Sequence, residues 1–367
     1  MPEPKSNNKS YREDLKLIAK AVREAGAIAK QAFDDNDSKV WDKANDSPVT
    51  DADIAVNDYL AQILQAARPD YGWLSEETKD DNSRHACPRS FVVDPIDGTR
   101  AFIDRTPNFA VSVAIIENGK SIAGALFNPL TNEMFEASLG GGASLNGNPL
   151  SAPDTDKIEG IRMVGYPRKF RRLGWPDMIC RVANSMAYRM ALVASGQADA
   201  TVAFTPKSDW DLAAAELIAT ESGAIVTNLY GKDPTYDGPT TSGLGVICAG
   251  PKLHALLLAR VSPVIAQFEK SHNKIKDFGF MGTTMSDRTE EPQQLLHLVI
   301  GGELIDPNKT EFKNLQDVDF IGAYGSFEEA RKAWKGAAQR TVDNAHMRYF
   351  VLHAHELIDP DKDGFIG

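Results

Sequence analysis

Several kinds of chemistry are excluded by what this sequence has little of. It carries only three cysteines in 367 residues, Cys87, Cys180 and Cys248, and these are far apart with no CxxC pair. That argues against a disulfide framework or a thiolate metal site and leaves reduced structural thiols, as expected of a cytoplasmic protein. No stretch approaches the ~20 consecutive apolar residues of a membrane span. The opening segment, MPEPKSNNKSYRED, lacks the apolar core of a secretion signal. Positive charge is also in deficit: 40 Lys and Arg against 51 Asp and Glu leave a net charge of -11. A general binder of nucleic-acid polymers or anionic membranes is therefore not expected. A small anionic substrate is compatible with this balance, because bound metal ions can invert the local field of a site.

What is present is an ordinary globular composition, 42% hydrophobic and 25% charged, on a chain long enough for two or three domains. A capping-box pattern at Ser10 and Glu13, followed by Leu15, Ile18, Val22, Ala25, Ala29 and Phe33 at helical spacing, predicts a helix over 11–34. A second helix is predicted over 54–66, ended by Pro69. A strand at 90–93 follows, then two apolar runs flanking Glu117-Asn118-Gly119-Lys120, the strongest hairpin signal in the chain. Turns around a short strand at 140–150, helices at 186–194, 211–222 and 253–268, and short strands in AIVTN and GVICAG complete a first unit. Residues 270–292 have low apolar content and no period and read as a linker. Two strands, a helix opened by Ser326 and Glu329, and a last strand then read as a small α+β module. The expected organisation is 1–269, 270–292 and 293–367.

Acids fall in four places that packing does not call for. These are Asp53 in SPVTDADIA, Glu76-Glu77 in WLSEET, Asp94 and Asp97 in FVVDPIDGTRAF, and Asp211 in SDWDLAAAE. Each alone has a plain structural reading. Asp53 and Asp211 suit helix N-termini, Asp94 and Asp97 suit an Asp-Pro turn, and Glu76 and Glu77 suit a solvated surface. Together they suit something else. Asp94 and Asp97 flank a tight turn leaving an apolar strand, where their carboxylates and the Ile96 carbonyl can converge on one point. Hard oxygen donors of this kind suit Mg²⁺, and clustered acids without a cation would repel one another. Gly98 lets backbone approach a ligand, and N–H groups at a helix start after Thr99 can hold a phosphate.

DPIDGTRAF and WDLAAAE, with EE before the first and VTDAD earlier still, resemble the inositol monophosphatase-like superfamily over about residues 10–268. The resemblance implies an α/β fold of layered αβαβα type and a Mg²⁺-dependent, Li⁺-sensitive phosphatase with two to three metal ions. It implies that Glu76, Asp94, the Ile96 carbonyl, Asp97 and Asp211 are metal ligands. Asp53 and Thr99 would orient and deprotonate the attacking water, with Glu77 beside it, and Gly98 and Thr99 would hold the phosphate. No covalent phosphoenzyme is needed, so neither Cys180 nor a histidine is expected as a nucleophile.

The sequence departs from inositol phosphatases at two points. Phe204 stands seven residues before Asp211, where a ring-binding glutamate is usual, and Asn184 replaces a glycine. Arg100 after DGT, Lys43 with Ser47-Pro48-Val49-Thr50, and Lys207 look more like the 3'(2'),5'-bisphosphate nucleotidase branch. Arg100, Lys207 and Ser185 are then candidate substrate contacts, with solvated surface cations as the alternative for Arg100 and Lys207. The expected activity is removal of the 3'-phosphate of adenosine 3',5'-bisphosphate. Inositol 1-phosphate or a sugar phosphate such as fructose 1,6-bisphosphate is the alternative, and a non-catalytic phosphate-ligand binding or scaffold protein the second. The C-terminal module resembles small alphaproteobacterial domains of unknown function and reads as a regulatory or homo-oligomer-forming appendage. Its face of Phe327, Ala330 and Trp334 is expected in the core, and His297, His353 and His355 are expected to be satisfied or exposed. Its last segment, DPDKDGFIG, opens like a Ca²⁺ loop but stops short of the closing glutamate, and reads as an acidic terminus.

Overall fold

Helix α1 (Lys5–Asp35) lays its apolar stripe of Ile18, Val22, Ala25 and Ala29 into the core. This computed structural model describes residues 5–43, 48–238, 242–243, 245–277, 297–305, 312–314, 317–324, 326–340 and 346–353. The helix starts ahead of Ser10, so that hydroxyl does not cap it and instead accepts from Arg89 Nη1 at 2.9 Å. A short ribbon, β1 (Val40–Asp42) and β2 (Pro48–Thr50), leads into α2 (Asp51–Ala67). Next come β3 (Gly72–Ser75), β4 (Ser90–Asp97), the single-turn α3 (Thr99–Ile103), β5 (Ala110–Glu117) and β6 (Lys120–Asn128). The β5–β6 turn has Asn118 and Gly119 at φ 51° and 76°, the left-handed pair that the Asn-Gly signal implies. With β7 (Glu133–Ser138), β8 (Gly142–Leu145) and β9 (Asn148–Pro149) these form a seven-stranded sheet in sequence order from β3 to β9. Only the β3–β4 pair is parallel.

The chain then builds β10 (Arg162–Val164), α4 (Pro167–Arg172), β11 (Ile179–Arg181), α5 (Met186–Ala194), β12 (Ala200–Ala203) and β13 (Lys207–Ser208). After α6 (Asp209–Glu221) come β14 (Ile225–Thr227), β15 (Ser242–Gly243), β16 (Val246–Ala249) and α7 (Pro251–Asp277). A five-stranded sheet has the order β11-β10-β12-β16-β14.

Alternation along the strands sorts the side chains into three cores. Val111, Val113 and Ile115 of β5 pack with α1 and α2. Ala110, Ala114 and Ile116 face the opposite way, toward α5, α6 and the inner side of the five-stranded sheet. Met163, Val202 and Ile247 face α4 and α7. The order helix–sheet–helix–sheet–helix is the layered αβαβα arrangement expected from the sequence. The middle layer sits close: a Cβ at Gly124 of β6 would lie 2.8 Å from Ala214 O of α6, so only glycine fits there.

The chain divides into units Met1–Phe280 and Met281–Gly367. Helix α7 continues to Asp277, through the first part of the expected linker, because no glycine or proline interrupts it between Pro263 and Asp277. The rest of that linker lies outside the described residues. In the second unit β17 (His297–Glu303) is flanked antiparallel by β18 (Asp319–Tyr324) and β19 (Met347–His353), and α8 (Phe327–Arg340) crosses them. Ser326 Oγ accepts from Glu329 N at 3.3 Å, as the capping pattern predicts. Ala330 is buried and Trp334 Nε1 donates to Tyr349 O at 2.8 Å, but Phe327, expected in the core, is 47% exposed at the helix start, its ring 5.8 Å from that of His297. His297 itself is buried. His355 and the DPDKDGFIG terminus lie outside the described residues. Among the described residues no helix is long and apolar enough to cross a membrane.

Candidate active site

The strand that carries Asp94 and Asp97 does not stop at the first acid. It runs to Asp97, pairing Asp94 with Ser112 and Asp97 with Ala110, so that two residues, Pro95 and Ile96, oppose the single Val111 on its neighbour. This bulge has a chemical consequence. Residues three apart on a regular strand point to opposite faces. The extra residue re-aims the second carboxylate onto the face of the first, while Ile96 remains in the core against α1 and α2. Carboxylate oxygens of Asp94, Asp97 and Asp211 all come within 4.8 Å of one another.

Three acids of the cleft, Asp97, Asp211 and Asp53, are held by helix starts. Asp97 accepts from Ser185 Oγ at 2.6 Å, Met186 N at 3.1 Å and Ala187 N at 2.6 Å, so it sits on the positive N-terminus of α5. Asp211 is the third residue of α6 and accepts from Ser208 N at 2.8 Å. Asp53 holds the same place in α2, accepting from Thr50 N at 2.8 Å and Thr50 Oγ1 at 2.6 Å. The capping reading and the site reading of Asp53 and Asp211 are therefore both true. A capping box leaves one carboxylate oxygen free to face the cleft. Asp53 uses that oxygen: Thr99 Oγ1 lies 3.2 Å from Asp53 Oδ1 and 3.2 Å from Ile96 O. Gly98 turns the chain between them at φ 99°, and a Cβ there would meet Asn108 O at 3.0 Å and Ser185 N at 3.1 Å.

The electrostatics follow from burial. Asp53 and Asp97 are each pushed up to about 7, first by loss of water, then by Glu77 for Asp53 and by Asp211 for Asp97. Asp94 is raised well above its ordinary value by burial and by Glu76, Asp97, Asp211 and Asp53 around it. Burial also raises Asp211 and Glu76, against the pull of Lys207 and Lys43 respectively. Hard carboxylate oxygens converging in a buried cleft fit a divalent cation such as Mg²⁺, whose charge removes this repulsion.

Not every expected residue joins that cluster. Glu76 is not one of the three converging carboxylates. Its Oε1 takes Lys43 Nζ at 2.9 Å, and Glu77 Oε1 takes the same ammonium at 2.6 Å, because one cation between two acids offsets both. Ser185, expected at the substrate, is fully buried with its hydroxyl donated to Asp97. Arg100 is exposed on α3, and Lys207 is half-buried with its charge acting on Asp97 and Asp211. Phe204 joins Phe170 and Trp175 in an aromatic group, at ring distances of 6.3 and 6.2 Å. Sequence reading missed Arg189 of α5, which looks like one more residue of a buried helix face.

The sequence pattern of the inositol monophosphatase family matches residues 10–266, and that of a domain of unknown function, DUF4170, matches 295–354. An inositol monophosphatase of Dictyostelium discoideum is 29% identical over 265 residues, covering 67% of this chain and 95% of that protein. The Nus factor SuhB of Xylella fastidiosa is 30% identical over 263 residues, covering 68% and 94%. Among solved structures, the Thermotoga maritima IMPase is similar with a TM-score of 0.62 at 25% identity, over 70% of this chain and 99% of that one. CysQ of Bacteroides thetaiotaomicron is similar at 0.55 and 25%, over 65% and 97%. With its layered fold, its cleft of buried carboxylates and a family pattern spanning most of its length, the chain belongs to the inositol monophosphatase family of metal-dependent phosphatases, extended by a separate C-terminal domain.

Proposed function

We propose that this phosphatase removes the 3'-phosphate of adenosine 3',5'-bisphosphate. The observation that carries the chemistry is the pairing of Asp53 and Thr99 beside three carboxylates within 4.8 Å of one another. Asp94, Asp97 and Asp211, with the Ile96 carbonyl and Glu76, would hold Mg²⁺. When bound, the metal supplies charge neutralisation at the phosphate and a more acidic water. Thr99 Oγ1 accepts a proton from the attacking water, while Asp53 Oδ1, 3.2 Å away, accepts the proton of the threonine hydroxyl. An Asp53 pushed up to about 7 is matched to that task near neutral pH. Glu77, held by Lys43, keeps a second carboxylate beside the pair. Gly98 and the start of α3 give the phosphate a backbone surface. Ser185 and the α5 N-terminus hold Asp97 in place.

The choice of substrate rests on Phe204. Where a carboxylate would meet a polyol, an aromatic side chain packs on Phe170 and Trp175. Lys207 and the exposed Arg100 favour a substrate with more than one negative group. The second reading is inositol 1-phosphate, favoured by the likeness to the Dictyostelium inositol monophosphatase. Phosphate release from adenosine 3',5'-bisphosphate, inositol 1-phosphate and fructose 1,6-bisphosphate, with Mg²⁺ and then with added Li⁺, separates them. The expected result is a preference of at least about tenfold in kcat/KM for the nucleotide, about 1.4 kcal/mol, and inhibition by Li⁺. A preference for inositol 1-phosphate replaces the first reading by the second, and no turnover of any substrate refutes both.

A further inference from the structure

We infer that Arg189 recognises a second phosphate on the substrate, at the end remote from the bond that breaks. This rests on the phosphatase reading above and names the specificity residue of the same site. Arg189 lies one turn after Ser185 in α5 and is only 5% exposed. Its Nε donates to Ala183 O at 2.6 Å, and its guanidinium carbon lies 5.0 Å from the Tyr166 ring centroid. The group is therefore fixed in direction. The Tyr166 side chain is a further hydrogen-bond partner of the guanidinium, and both of the groups that hold it, Ala183 O and Tyr166, are uncharged. Asp97 and Asp211 both act on its charge, which sets it beside the cleft.

A buried cation is ordinarily matched by a carboxylate. Arg189 forms no ion pair among the described residues, so its counter-charge is left for a ligand to supply. The guanidinium fork suits phosphate, which it meets with two parallel hydrogen bonds. The surrounding segment has the same sign. Between positions 163 and 198 the only acid is Asp177, while Arg168, Lys169, Arg171 and Arg181 are exposed there, in a chain of net charge -11.

The test compares two substrates that share the reacting phosphate and differ in the other: adenosine 3',5'-bisphosphate and adenosine 3'-monophosphate. Steady-state kinetics with Mg²⁺ are read for the full chain and for Arg189→Met and Arg189→Lys. Loss of charged hydrogen bonds should raise KM for the bisphosphate about 10- to 100-fold in Arg189→Met. The kcat and the monophosphate KM should stay within about twofold, and Arg189→Lys should restore part of the loss. Equal losses on both substrates would mean that Arg189 only braces α5, and would overturn the inference. So would a wild-type protein that turns over both nucleotides without distinguishing them, a result that leaves the phosphatase reading intact. If neither nucleotide is turned over, the proposed substrate fails, and calorimetric binding of adenosine 5'-monophosphate decides the role of Arg189 separately. At least about tenfold weaker binding by Arg189→Met supports it, and equal binding by both proteins overturns it.

Discussion

Stripping the divalent cation should make the stability of the catalytic unit fall with rising pH, and returning Mg²⁺ should stabilise it near neutrality but hardly in acid. Burial raises Asp53 and Asp97 from an ordinary 3.8 to about 7. Between those values the folded chain keeps protons that the unfolded chain has released. Their contribution is therefore complete below the unfolded value and is lost as pH climbs through the folded one. A difference of about three pH units corresponds to about 4 kcal/mol for one group, and two interacting groups add to less than twice that. Against a typical stability of about 5–15 kcal/mol this is a large effect. A cation at about 100 times its dissociation constant adds about 2.7 kcal/mol, and each kcal/mol moves Tm by about 2–4 °C in a domain of this size. Scanning calorimetry of chelator-treated protein should thus show Mg²⁺ raising Tm by about 5–11 °C at about pH 7.5. The rise should be less than about 2 °C at about pH 5, where protons already neutralise the carboxylates. Asp97→Asn should flatten the pH dependence and shrink the Mg²⁺ effect together. An equal Mg²⁺ effect at both pH values would refute the link between cation and carboxylates, and no effect at either would refute the metal site.

Asp94→Asn should reduce phosphate release to below about a thousandth while leaving the circular dichroism spectrum intact, since it removes a central charge from the metal pocket; an active variant would remove Asp94 from the site. Thr99→Ala should lower kcat by about 100-fold or more through loss of the hydroxyl proposed to pass the proton to Asp53, and Thr99→Ser should recover most of it. Comparable losses in both variants would point to packing instead. A chain ending at residue 280 should keep the kcat and KM of the full protein, because all of the proposed site residues lie in the first unit; loss of turnover in a folded truncated chain would place the C-terminal domain in the reaction.

Much of the fold was legible because local signals agreed with the tertiary outcome. Asn118-Gly119 selects its own turn, and Met186–Ala194 has the predicted limits. Two boundaries moved for identifiable reasons. Ser10 looked like a cap but lies inside α1, its hydroxyl taken by Arg89 from a distant strand end. Residues 270–277 looked like linker because they lack an apolar period, yet they contain nothing that breaks a helix.

By itself the sequence determined the inventory of the candidate site: six acids in four short segments, capping boxes that fix two of them, and a glycine where the chain must turn at φ 99°. Those are local properties, set by backbone conformation and by hydrogen bonds within a few residues. Which groups meet across the fold was decided only by tertiary structure. A bulge in β4 brings Asp94 and Asp97 to one face, the end of α5 delivers Ser185 to Asp97, and Lys43 is drawn to Glu76 and Glu77. The buried cation of Arg189 belongs to the same class, since burial without an ion pair among the described residues is a property of the packed protein that a one-dimensional pattern does not carry.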